Sequence, residues 1–265
     1  MRRTIAVAFC VLAVCGMPAR AGAGPPGDGE LQAAMRKHDI VVQPDGAGPF
    51  PAVILLHGCG GPTGREKLWA ERLRDWGYLS LRVNSFAARG LRRVCGGGIL
   101  SAEERVPDVL AALAYLQTRP DVDPRRIAVI GWSHGGGATL ATLGHAPEEP
   151  VEGFRAAIAF YPYCRQMRPW RTKTPTLILI GEADDWTPAV PCQALADRQR
   201  RAGFDVTQVT YPGAHHVFDN PLLGPDQRRA PDALGGRGAT LQYNPAAADD
   251  SRVRVRDFLA KHLQD

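Results

Sequence analysis

From about residue 50 onward, continuously apolar, β-branched runs alternate with amphipathic stretches. "PAVILLHG" (51–58) has the length and composition of a buried strand. "EKLWAERLRDWG" (66–77) follows, with Leu68, Leu73 and Trp76 among its apolar positions and Gly77 as a stop, and predicts a helix. Further strands are predicted over 78–83, 126–132, 156–161, 174–181 and 205–212, and helices over 101–117, 136–144, 189–203 and 244–263. Pro107 belongs at the first turn of its helix or kinks it, and Asn244 and Pro245 suit a cap and a first helical position. Such alternation builds βαβ units. The fold class is therefore α/β, a single domain with a mostly parallel central sheet and helices on both faces. Only 220–243 reads as a long irregular stretch, and a loop of that length in a compact domain is functional or disordered.

The N-terminus breaks this rhythm. "MRR" is followed by the apolar "TIAVAFCVLAV" and then by "ARA" at 19–21. That order is a signal peptide over 1–21, cleaved after Ala21, with an apolar stretch too short for a bilayer span. A lipobox at "LAVC" (12–15) is disfavoured by the bulky Val14, and a retained anchor is the other rival reading. Cleavage leaves a domain over 22–265, with no integral membrane span and a periplasmic or secreted location. The overall 45% hydrophobic and 22% charged composition is that of a globular chain.

Export also changes the charge and the cysteine count. Residues 1–21 carry Arg2, Arg3 and Arg20 and no acid, so their loss takes three cations from the formal +5 and leaves +2. With no basic run interleaved with aromatics, a nucleic-acid partner is not expected. Cys10 and Cys15 leave with the signal, and Cys59, Cys95, Cys164 and Cys192 remain. An even count in an oxidising compartment points to disulfides. Four cysteines allow three pairings, of which Cys59–Cys95 with Cys164–Cys192 is the expectation. The spacings are wide and include no C-x-x-C, so a metal site is not expected.

"GWSHGGG" (131–137) lies where a predicted strand hands over to a predicted helix. A G-x-S-x-G match alone is weak, but this is the setting of a nucleophile elbow. The turn is so tight that the residues two before and two after Ser133 must be nearly bare, and Gly131 and Gly135 meet that need. The helix N-terminus there favours developing negative charge. A serine hydroxyl needs a base, and in this architecture the partners follow in the order Ser, acid, His. "ILIGEADDWTP" ends a strand with Glu182, Asp184 and Asp185, and "VTYPGAHHVFD" ends another with His215 and His216. Chain order alone does not choose among them.

Taken together, "HGCGG", "GWSHGG", "GEADDWTP" and "YPGAHHVFD" resemble the dienelactone hydrolase family of the α/β-hydrolase superfamily, from about residue 50 to the end. The resemblance implies an α/β-hydrolase domain. Its G-x-x-D-x-x-x-P pattern maps the acid to Asp184, between Gly181 and Pro188, and its H-x-F pattern maps the histidine to His216, before Phe218. Asp185 and His215 are the runners-up. An oxyanion hole is expected from the backbone N–H of His134, the residue after the nucleophile, and, as the resemblance implies, that of Cys59; His57, before the glycines, is read as holding the loop, with a direct catalytic role as the alternative. The chain departs from the namesakes, which are cytoplasmic and use a cysteine nucleophile where this chain has Ser133. Serine relatives are esterases or lipase-like hydrolases. Arg89 is a candidate for a substrate carboxylate or a structural ion pair. Trp132 and Trp186 are candidates for the pocket wall, with core packing the alternative.

The expected activity is cleavage of a carboxylic ester, thioester or lactone through an acyl-enzyme. The partner is then a small-molecule ester or lactone. No cofactor is needed, since serine, histidine and aspartate supply the chemistry. A serine peptidase of the prolyl-oligopeptidase type usually carries a large extra domain, for which 244 residues leave no room. A non-catalytic binding protein on a hydrolase scaffold is the remaining alternative, with 220–243 as a lid in the first case or a partner surface in the last.

Overall fold

The computed structural model describes residues 36–264 except 145–152, 166, 168–172, 225 and 232, together with Gly29 and Ala33. The predicted signal segment lies outside the described residues. The elements run β1 (Ile40–Val42), β2 (Phe50–Leu56), α1 (Gly64–Asp75), β3 (Leu79–Val83), α2 (Val106–Gln117), β4 (Val122–Trp132) and α3 (His134–Gly144). They continue with β5 (Phe154–Phe160), β6 (Thr176–Gly181), α4 (Ala189–Arg201), β7 (Val206–Tyr211), β8 (Arg228–Ala230), β9 (Ala239–Leu241) and α5 (Pro245–Leu263).

Seven strands form one sheet in the order β1-β3-β2-β4-β5-β6-β7. Among the described residues of this sheet, only β1, at the edge, is antiparallel to its neighbour. Consecutive residues Val53 to Leu56 and Ile127 to Ile130 are all fully buried. Successive side chains in a strand point to opposite faces, so the sheet is covered on both sides and its strands can be apolar throughout.

The helices form where the sequence supplies caps and stripes. Thr63 and Glu66 make a reciprocal capping box ahead of α1, with Thr63 N donating to the Glu66 carboxylate at 2.7 Å. Trp69, Ala70 and Leu73 form its buried face. Pro107 sits in the first turn of α2, where its missing N–H costs nothing. Asn244 caps α5 through Ala247 N at 3.1 Å, and Ala247, Ser251, Val255, Leu259 and Leu263 make a buried stripe at a spacing of four.

Three features depart from the sequence reading. β1 is too short to carry a periodic signal, and β4 starts at Val122 rather than Arg126 because Val122 pairs with Phe50. The stretch 220–243 is not irregular throughout: β8 and β9 pair in antiparallel fashion within it. Gln242 N donates to His216 O at 3.2 Å and Asn244 N to Phe218 O at 3.0 Å, which lays its end along the loop after β7.

Two disulfides, Cys59–Cys95 and Cys164–Cys192, join the cysteines in the expected pairing. No helix among the described residues is long and apolar enough to cross a membrane.

Candidate active site

Ser133 is the single residue between β4 and α3, and its φ of 52° lies in the left-handed region. That conformation costs a non-glycine residue about 1–3 kcal/mol and persists only where the surroundings fix it. Here Ser133 N donates to Phe160 O at 2.9 Å and Gly137 N donates to Ser133 O at 2.8 Å. The flanking glycines are required by space. A Cβ on Gly131 would collide with the Gly135 carbonyl and lie 2.5 Å from Thr139 Oγ1. One on Gly135 would collide with Leu56 O and lie 2.6 Å from His57 O.

The loops after β6 and β7 bring two partners to this turn. His216 Nε2 lies 3.0 Å from Ser133 Oγ, and His216 Nδ1 lies 2.7 Å from Asp184 Oδ2. Asp184 Oδ1 accepts from the N–H groups of Trp186 at 2.9 Å and Thr187 at 2.8 Å. Thr187 Oγ1 is 3.0 Å from Asp184 Oδ2 and 3.0 Å from Tyr161 O. Asp184 and His216 are both buried. The His216 ring lies between Tyr161 and Trp186, at centroid distances of 4.6 and 4.8 Å. All three residues stand at the carboxyl edge of the parallel strands, where α/β sheets place their sites.

Behind this line is a polar cluster that the sequence reading did not identify. Buried Asp219 accepts from Tyr161 OH at 2.6 Å, Trp132 Nε1 at 2.9 Å and Trp69 Nε1 at 3.2 Å. Arg65 Nη1 donates to Tyr161 OH at 2.8 Å and pairs through Nη2 with Glu66 at 2.5 Å. Asp219 thereby ties the loop that carries His216 to Trp132, the residue before Ser133.

The two backbone groups expected to face an oxyanion are also held. His134 opens α3, whose first N–H groups have no acceptor within the helix. Cys59 is fixed by its disulfide and by Val94 N donating to its carbonyl at 2.8 Å. Arg105, fully buried, joins the loop residue His57 to the His134 ring. Its Nη1 donates to His57 O at 2.8 Å and lies 3.0 Å from His134 Nδ1, while Nε donates to Ser85 Oγ at 3.1 Å. Since a guanidinium only donates, His134 Nδ1 accepts, and Nε2–H donates to Leu100 O at 2.9 Å. Burial first, and then the Arg105 charge, push His134 down to about 4. Burial and then Arg105 likewise hold His57 well below the usual histidine range. His57 Nδ1 lies 2.7 Å from Gly58 O, in keeping with a loop-holding role.

Other expectations divide. The Arg89 guanidinium makes a two-pronged pair with buried Asp108 at 2.8 and 2.7 Å and also donates to Ser85 O, the geometry of the ion-pair alternative. Trp132 lies in the core. It is fully buried and stacked on Phe160 at 5.6 Å, because its indole N–H is drawn inward by Asp219. Trp186 does line the space at Ser133. The runners-up face the 220–243 segment. Asp185 Oδ1 accepts from Thr240 N at 2.7 Å, and His215 Nε2 lies 3.4 Å from the Gln227 amide.

Among the described residues, Ser133 borders a pair of cavities. One, of about 610 Å³, is lined by His134, Leu100, Ala102, Tyr163 and Met167. The other, of about 300 Å³, is lined by His216, Val217, Leu223, Pro231 and Leu241. Cys59, Cys95, Ser133 and Trp186 border both.

Residues 38–263 match the model of the dienelactone hydrolase family. A curated relative, the "Putative carboxymethylenebutenolidase" of Methylorubrum extorquens, is 24% identical over 195 residues, 66% of this chain. The match spans 65% of that protein, just under two thirds of its length. The crystal structure of a "Putative Dienelactone Hydrolase" from Klebsiella pneumoniae superposes with a TM-score of 0.65 at 21% identity, covering 84% of this chain and 92% of that one. Thermogutta terrifontis esterase 2 phosphorylated by paraoxon gives a TM-score of 0.59 at 18% identity, covering 84% and 88%. At these identities the structures show a shared fold.

Proposed function

Because the chain belongs to the dienelactone hydrolase family, we propose that it is a serine hydrolase cleaving a carboxylic ester, thioester or lactone through an acyl-enzyme on Ser133. The observation that carries this reading is the continuous line from Ser133 Oγ through His216 to Asp184, at 3.0 and 2.7 Å, with the serine raised on a strained turn. His216 Nε2 takes the hydroxyl proton as Oγ attacks the carbonyl carbon. The carbonyl π electrons move onto oxygen, which the N–H groups of Cys59 and His134 receive. Asp184 holds Nδ1–H and stabilises the imidazolium without taking the proton. The imidazolium then gives its proton to the departing oxygen or sulfur. Water attacks the acyl-enzyme by the same route and releases the acid. The two disulfides and the signal-like N-terminus support action in the periplasm or outside the cell.

The test is labelling of the mature protein with a fluorophosphonate, followed by mass spectrometry of the adducted peptide. The expected adduct is on Ser133, and it disappears in His216→Ala. Folded protein that neither labels nor hydrolyses p-nitrophenyl acetate would overturn the proposal and favour the non-catalytic binding reading.

A further inference from the structure

Resting on that reading, the two cavities at Ser133 assign the two halves of the substrate. We infer that the larger cavity holds the acyl group and the smaller one the leaving alcohol, so that the protein prefers open-chain esters of a bulky, mainly apolar acid with a small alcohol. The argument starts from the proton. A tetrahedral centre on Ser133 Oγ carries three other substituents: the oxyanion, the leaving oxygen and the acyl carbon. The oxyanion faces the Cys59 and His134 N–H groups. The leaving oxygen must come within hydrogen-bond reach of His216 Nε2, since that nitrogen supplies its proton. His216 lines only the cavity of about 300 Å³. The acyl chain, the remaining substituent, is directed into the cavity of about 610 Å³, which His134 lines and His216 does not.

The walls agree with this assignment. The acyl side is lined by buried Val94, Leu100 and Met167 and half-exposed Tyr163, with Glu103 and Arg165 also on its wall. At about 610 Å³ it has about twice the volume of the alcohol side, at about 300 Å³. The alcohol side is bounded by Leu223 and Pro231 of the 220–243 segment. Trp186 and the Cys59–Cys95 disulfide border both sides.

Two isomeric esters test this directly. Methyl octanoate and heptyl acetate have the same formula and reversed halves, so their overall hydrophobicity is nearly matched. Hydrolysis by the mature protein is followed by proton release. The expected result is a kcat/KM for methyl octanoate higher by on the order of tenfold or more, since methylenes in an apolar pocket discriminate at that level. Equal values, or a preference for heptyl acetate, would overturn the assignment while leaving a working hydrolase. If neither ester nor p-nitrophenyl acetate is turned over and Ser133 does not label, it is the hydrolase reading that fails, and the assignment with it. Ala102→Phe, which narrows the acyl side, is expected to lower the methyl octanoate to heptyl acetate ratio, and Tyr163→Ala, at an exposed position, to lower it less. A ratio that instead falls only in Leu223→Phe would reverse the assignment.

Discussion

Replacing Asp219 by alanine isolates the cluster behind Ser133. The carboxylate accepts from Trp69, Trp132 and Tyr161, which are 1%, 0% and 0% exposed, so its loss strands three donors that bulk water does not reach. A stranded buried donor costs about 1–3 kcal/mol. Water entering the space left by the carboxylate offsets part of this, and about 4 kcal/mol is the expected loss of stability. For a domain of this size that lowers Tm by on the order of 10 °C. The assay is chemical denaturation of the wild type, Asp219→Ala, Trp132→Phe and the double variant at pH 7. Trp132→Phe removes one of the stranded donors, so it should cost at least about 1 kcal/mol less in the Asp219→Ala background than alone. Because the cluster joins the His216 loop to the residue before Ser133, turnover of p-nitrophenyl acetate should also fall by roughly tenfold or more. A stability change below about 1 kcal/mol, or strict additivity in the cycle, would refute the assignment of Asp219 as the hub.

Three further outcomes follow from the same geometry. Paired Cys59→Ser and Cys95→Ser substitutions open a loop with a sequence separation of 36 and should cost about 3–4 kcal/mol by denaturation; turnover falls as well if that bond holds the oxyanion donor, and a variant of undiminished kcat would show that it does not. Gly135→Ala places a methyl against Leu56 O and His57 O, so little folded protein is expected by circular dichroism. His134 is neutral when folded down to about pH 4 but gains a proton near 6.5 when unfolded, so its contribution, about 3 kcal/mol, is present above 6.5 and is lost as pH falls toward 4. Asp39, raised by burial to about 6, slopes the opposite way, so the test is the difference in stability between wild type and His134→Gln from pH 8 to 4, which should shrink on acidification.

Much of this was legible because it is local. The glycines around Ser133, the box at Thr63 and the stripe on α5 act within a few residues, and the composition of the strands records burial on both faces. The acid and the histidine were placed by pattern, and the structure brings both to Ser133. What escaped notice depends on distant partners. Asp219 stands in the quoted "HHVFD" run, but its donors lie 150, 87 and 58 residues away. Arg89 lies six residues past β3, and Asp108, which pairs with it, comes from the following helix. Arg105 carried no local signal, since an arginine in the first turns of a predicted helix is usually solvated. The hairpin of β8 and β9 was hidden by strands of three residues each.

Asp185 and His215 each sit next to a residue of the Ser133 line, and each turns away from it toward the 220–243 segment. Both loops therefore carry two adjacent side chains with opposite addresses, one for the chemistry and one for the segment bordering the alcohol side. A one-residue insertion or deletion in either loop would exchange those addresses. The segment is not an appendage that recombination could swap between relatives to change substrate range; a replacement must bring its own counterparts to Thr240 and Gln227, or the loops that carry Asp184 and His216 lose a brace when the cover is changed.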